Sequence, residues 1–339
     1  MAASTWQWTG SSWILISGSG NPSGGPQSGD TAIIPPGTSL DTGFNPQLTG
    51  NTGLLGGTFT VSGDAFTNLG TPTFDSATLI ENIFPGQTAA VSAVLNSYGF
   101  GFNAGTVLST GPAGNTLTVN IAATSETFSP TVTQFLPGYF FNTGTMEATA
   151  GTSLIINVAT QSALFNPGTI LANGGYVKVN VDPNAYYGGV APERGYWEIE
   201  GGGTIETQAA NAGTVGNNGS RPYFLFLDNT PGNTLKIDNI GSFGGVVSNF
   251  FTGDTVDLGT LFAVSTITYD QSTSLLSLKN GSTIVASLVV GNSGVNYATG
   301  TFPLVGGAAD GFVFTTGADG NTLLTTTSTR IATSNLSGT

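Results

Sequence analysis

Glu198, Glu200 and Glu206 are the residues whose types and spacing come nearest to a catalytic set in this chain. In "YWEIEGGGTIET", which starts at Tyr196, the first two acids stand two apart on an expected strand, so both carboxylates project from one face. Glu206 follows on the next strand. Paired carboxylates are what glycoside hydrolysis uses, one as acid and the other as base or nucleophile, and Tyr196 and Trp197 beside them offer ring platforms for a sugar. The ordinary alternation of a half-exposed strand, with acids outward and Trp or Ile inward, writes the same pattern.

A second set of acids offers oxygen ligands of the kind calcium takes: Asp254 and Asp257 in "TGDTVDL", and Asp310 and Asp319 in "AADG" and "GADGN". Only two carboxylates fall close together in each, so backbone carbonyls would have to complete the shell, and Asp-Gly is also a turn former. Weak calcium binding is the one cofactor expectation; otherwise none is implied. The chain has no Cys and no His, which removes disulfides, thiol nucleophiles, Cys or His zinc sites and an imidazole base. A lyase-like site with a cationic base is poorly served too, since Lys178 and Arg194 are the only cations before Arg221.

The elements that must position these residues are strands. Charged residues make up 7% of the 339-residue chain, against about 25% in ordinary domains. Gly numbers 51, and Thr, Ser and Asn fill the polar positions. Period-two alternation recurs in "GTFTVSG", "NTLTVNIA", "TSLIINVA", "YVKVNV" and "YWEIEG", each bounded by Gly, Asn or Pro. The class is all-β. Six cations against nineteen acids give a net charge of −13, with no basic cluster to neutralise phosphates, so neither nucleic acid nor membrane insertion is an expected partner.

One phrase repeats. "FNAGTV" starts at Phe102, "FNTGTM" at Phe141 and "FNPGTI" at Phe165. Unequal steps of this size fit the coils of a solenoid that carries insertions. Each phrase is read as a coil corner. Asn103, Asn142 and Asn166 stack and hydrogen-bond to one another, while Gly105, Gly144 and Gly168 accept a left-handed backbone and the following aliphatic residue points inward. The expected architecture is a right-handed parallel β-helix, or β-solenoid, over residues 44–220. A Trp-rich cap over 1–43 precedes it, and a C-terminal antiparallel β module over 221–339 follows it, with an Asn280-Gly281 hairpin inside that module.

"TWQWTGSSW" followed by "PQSGDTAII", with the Phe-Asn corners beyond, resembles the opening of bacterial autotransporter and adhesin passengers. "NFFTGDTVDLGTL" through "DGFVFTTGADGNTLLTT" is similar to the closing module of RTX-related proteins exported by type I systems, although the GGxGxDx calcium nonapeptide is absent. These resemblances imply an extracellular or cell-surface protein exported by an uncleaved C-terminal signal. An open solenoid leaves unpaired backbone groups at both ends, which must be capped or paired with another chain. The expected function is therefore a secreted structural protein whose chief partner is itself. It polymerises head to tail into a filament, surface layer or biofilm matrix, with an adhesive contact to matrix polysaccharide. Trp6, Trp8 and Trp13 in the head, and Arg330 and Ile331 in the tail, are the expected assembly residues. The alternatives are a polysaccharide-degrading β-helix enzyme using Glu198, Glu200 and Glu206, and a passenger fragment of a larger adhesin.

Overall fold

The computed structural model describes residues 4–19, 31–34, 39–41, 51–54, 58–63, 78–80, 92–103, 106–129, 132–186, 195–207, 222–228, 230–260, 264–270, 272–291, 300–303, 308–309 and 311–327. Gly105, Asp310, Arg330 and Ile331 lie outside the described residues. The fold is a β-solenoid. Its first sheet runs in unbroken parallel pairing from Thr31–Ile34 through Asn51–Leu54, Thr78–Ile80, Thr106–Ser109, Thr145–Thr149, Thr169–Asn173, Tyr196–Glu200, Tyr223–Phe226 and Val246–Ser248 to Thr283–Gly291. A second sheet alternates with it along the chain, through Thr116–Ala122, Ser153–Val158, Tyr176–Val181, Thr204–Thr207, Thr234–Ile237 and Thr255–Asp257. A short third side is made by Gly138–Asn142 and Ser162–Phe165, paired with the end of Ser92–Asn103.

Alternation along each strand becomes columns along the axis. Leu117, Leu154, Val177, Ile205, Leu235 and Val256 are register partners on the second sheet, and all are fully buried. Met146, Ile170, Trp197, Phe224 and Val247 face them from the first sheet. Each such side chain contributes about 1.5–3 kcal/mol by leaving water. The column turns aromatic toward the C-terminus, with Trp197 and Phe224 at 5.4 Å and Phe226 and Phe250 at 5.7 Å between ring centroids.

Unequal steps between the repeated phrases have a structural cause. Asn103 and Asn142 are 39 residues apart, whereas Asn142 and Asn166 are 24 apart. The longer coil carries an antiparallel hairpin, Thr124–Ser129 with Val132–Leu136. The coil closes beneath this hairpin. A Cβ added to Gly138 would lie 2.4 Å from the Ala122 carbonyl carbon, so the two residues flanking the insertion touch.

Two boundaries differ from the sequence expectation. Parallel coils begin at Thr31–Ile34 rather than at residue 44, after the hairpin Thr5–Trp8 with Trp13–Ser17. They also continue past residue 221, because Tyr223–Phe226, Thr234–Ile237, Val246–Ser248 and Thr255–Asp257 all pair in parallel with the coil before. Antiparallel pairing takes over only afterwards. Thr322–Thr326 pairs antiparallel with Thr255–Asp257 and continues the second sheet through Phe312–Thr316 to Ala308–Ala309, and the hairpin Leu275–Asn280 with Thr283–Gly291 turns at Gly281 with φ 60°.

At the corner phrase the expected asparagine ladder is present, but the glycines serve a different purpose from the one expected. Asn103 donates to Asn142 Oδ1 at 2.6 Å, and Asn142 donates to Asn166 Oδ1 at 2.6 Å, all three side chains being buried. The same amides reach the Thr145 and Thr169 carbonyls at 3.1 and 3.0 Å, so the ladder also satisfies backbone acceptors at the bend. Neither Gly144 nor Gly168 has a positive φ. Gly168 is required by stacking, because a Cβ there would meet the Gly144 carbonyl oxygen at 2.2 Å. Left-handed glycines occupy the opposite corner instead, at Gly151, Gly174 and Gly201 with φ of 76°, 67° and 63°.

Candidate functional site

The acids suggested by sequence fall on opposite faces of the solenoid. Glu198 and Glu200 lie on Tyr196–Glu200 of the first sheet and point outward, half-buried, while Trp197 between them is buried in the core. Trp197 is therefore no sugar platform; its Nε1 has no partner among the described residues. The exposed rings on this face are Tyr196 and its register partner Tyr223, 49% and 37% exposed with centroids 6.4 Å apart. Beside them runs a column of Glu147, Leu171, Glu198 and Leu225. Burial, and then the neighbouring Glu200, push the Glu198 carboxyl above its ordinary range.

Glu206 belongs to the second sheet and cannot join them. Its register partners are Lys178 in the coil before and Lys236 in the coil after. Lys178 Nζ lies 2.5 Å from Glu206 Oε1 and Lys236 Nζ 3.0 Å from Oε2, while the Tyr176 hydroxyl donates to Oε2 at 2.7 Å. Burial alone would raise this carboxyl, yet hydrogen bonds from Lys178, Tyr176 and Lys236 outweigh it and hold it at about 2. The Tyr176 phenol is pushed above its ordinary range by burial and by Glu206. A carboxylate so pinned holds three coils together; it is not a proton donor at neutral pH. The three-acid set is thus not assembled.

The aspartates are also paired differently from the expectation. Asp254 is buried at a coil corner, where Oδ2 accepts the Phe251 N–H at 2.9 Å and Oδ1 accepts Asn233 Nδ2 at 3.2 Å. Asn233 in turn donates to Asp228 and accepts the Gly202 N–H. Asp254 thereby extends a corner network of the same kind as the Asn103 ladder. Asp257 instead meets Asp319 through Asn321, whose Nδ2 donates to both carboxylates at 3.1 and 2.8 Å. Among the described residues, no group of three or more His, Cys, Asp or Glu side chains is placed to hold a metal ion.

At the N-terminal end the tryptophans face the core. Trp6 is buried, and Trp8 and Trp13 pack on each other at 5.3 Å and against the core. What the end presents to solvent is the rest of the outer strand: Ile14, Leu15 and Ile16 are 44%, 43% and 49% exposed. From sequence, the contact at this end falls on Trp6, Trp8 and Trp13 instead, because nothing in a short apolar run tells which of its residues a terminal strand leaves uncovered. Trp13–Ser17 is the terminal strand of the first sheet, and Gly300–Pro303 is the terminal strand at the other end of the same sheet. No protein-family model, curated protein or solved structure matches the chain.

Proposed function

We propose that this chain is a secreted structural protein that assembles head to tail into an extracellular filament, surface layer or matrix. The observation that carries the reading is the exposed apolar strand Trp13–Ser17, which among the described residues is the last strand at one end of the first sheet, with Gly300–Pro303 the last described strand at the far end. An exposed apolar edge is a template for another chain, and proteins that stay monomeric blunt such edges with charge or cover. Here Ile14, Leu15 and Ile16 carry neither. Joining the two ends of one sheet is a heterologous contact, which propagates without closing. The contact is β-strand addition, with main-chain hydrogen bonds supplying affinity and the isoleucines supplying fit. The net charge of −13 opposes the approach of identical copies, so added salt is expected to favour assembly by screening it.

Sedimentation velocity over a dilution series tests this reading. The wild-type chain is expected to shift to heavier species as concentration rises, and the double variant Ile14→Glu, Ile16→Glu to stay at the monomer position with unchanged circular dichroism. Identical, concentration-independent sedimentation of both proteins would overturn it.

A further inference from the structure

A groove of about 440 Å³ crosses the outer face of the second sheet, lined by three equivalent residues from each of three successive coils. Its floor is the column Asn120, Asn157 and Asn180, which are register partners. Asn180 Nδ2 donates to Asn157 Oδ1 at 2.9 Å, and Asn157 Nδ2 donates to Asn120 Oδ1 at 2.8 Å. Beside this column runs a second one of Ala122, Ala159 and Asp182.

A carboxamide has two N–H donors and two acceptor lone pairs. The ladder uses one of each at Asn157, so that rung keeps one donor and one acceptor. A hydroxyl group supplies both complements from a single atom. Rungs repeat about every 4.8 Å along the axis, close to the length of one sugar residue in an extended chain, and the alanine methyls give the apolar face of a ring something to rest on. Charge selects further. Lys178, on the strand that carries Asn180, is committed to Glu206. Asp182 accepts the Asn184 N–H at 2.7 Å, and this bond holds its carboxyl below the ordinary range. The groove thus has an anion at one end and no uncommitted cation among its lining residues, which disfavours an acidic polymer. An extended peptide is a poorer occupant, because the backbone groups of this face are already paired within the sheet and peptides add at edges.

We propose that this groove binds a neutral polysaccharide, one chain lying along the coil axis with its hydroxyls paired to Asn157 and Asn180 and its ring faces against Ala122 and Ala159. The site stands whether or not the chain polymerises. In an assembled fibre it would repeat once per subunit and give matrix glycan a track.

The test is calorimetric titration of the full chain with cellohexaose, xylohexaose and mannohexaose, with hexagalacturonate as the anionic comparator. At least one neutral hexasaccharide is expected to bind, and Ala159→Trp, which fills the groove without touching the ladder, to weaken it by about tenfold or more. Ala122→Trp blocks the groove one coil away and serves the same purpose if A159W folds poorly. Tyr196→Ala, on the opposite sheet, is expected to leave binding unchanged. The proposal is overturned if no neutral hexasaccharide binds at about 10 mM, if hexagalacturonate binds more tightly than all three, or if binding survives groove filling and is lost in Y196A.

Discussion

Glu206 shows how few charges this fold needs when each is placed between coils. Its carboxylate joins Lys178, Lys236 and Tyr176, tying three successive strands with one side chain. Because the folded carboxyl titrates at about 2, below about 4.3 for a free glutamate, its contribution is fully present above the unfolded value. It is lost as pH falls from about 5 toward 2, and a shift of this size is worth on the order of 2–3 kcal/mol. Glu198 has the opposite sign. Its raised carboxyl favours the protonated form in the folded state, so it opposes folding at neutral pH and stops doing so as pH falls through its titration. Urea unfolding of Glu206→Gln is accordingly expected to show a loss of about 2–3 kcal/mol at pH 7 that falls to roughly half of that near pH 3 and vanishes only below about pH 2. An equal loss at both pH values would mean that packing, and not charge, accounts for the effect.

At the scale of the element, the coil is the unit and the hairpin of residues 124–136 is an addition to it. Ala122 and Gly138 touch beneath it, and the next coil makes the equivalent bend through Ala159, Thr160 and Gln161 alone, with Gln161 at φ 56°. Replacing residues 123–137 by Thr-Gln, so that Ala122 takes the place of Ala159 in that bend, is expected to leave the far-ultraviolet circular dichroism per residue and the cooperativity of unfolding intact. Aggregation or loss of the transition would show that the hairpin is needed to fold.

Much of the coil was legible in the sequence because its signal is local. Alternation in "TLTVNIA" and "SLIINV" marks inward and outward residues whatever the strand pairs with, and three Phe-Asn phrases mark one corner repeated. Pairing direction left no such mark. Tyr223–Phe226 and Thr234–Ile237 alternate the same way in a parallel coil as in a hairpin, so the coil stack reads as ending at 221 although it continues through Thr255–Asp257. Apart from the asparagine ladder, contacts between coils were invisible for the same reason. Glu206 stands six residues from Glu200 in sequence yet belongs to the opposite sheet, and its lysine partners are one coil away on either side. Gly168 shows that a residue type can be foreseen for the wrong cause, since a close approach of backbones and a left-handed turn both demand glycine.

At the scale of the whole molecule, the ends are treated differently from the middle. Between them, among the described residues, a column of buried side chains runs from Leu117 to Val256 on the second sheet, each strand between them pairing on both sides. At the N-terminal end a hairpin folds its tryptophans inward and leaves an apolar strand outside; at the other, antiparallel strands end in Gly300–Pro303. Proline at the close of that strand fits an edge, where its missing N–H interrupts no ladder.

Negative-stain electron microscopy of the purified wild-type chain beside Ile14→Glu, Ile16→Glu is the most direct measurement of the central claim. The account predicts regular unbranched fibres of uniform width for the wild type, elongating as concentration rises, and isolated short rods for the variant. Isolated rods for both proteins at every concentration would contradict it.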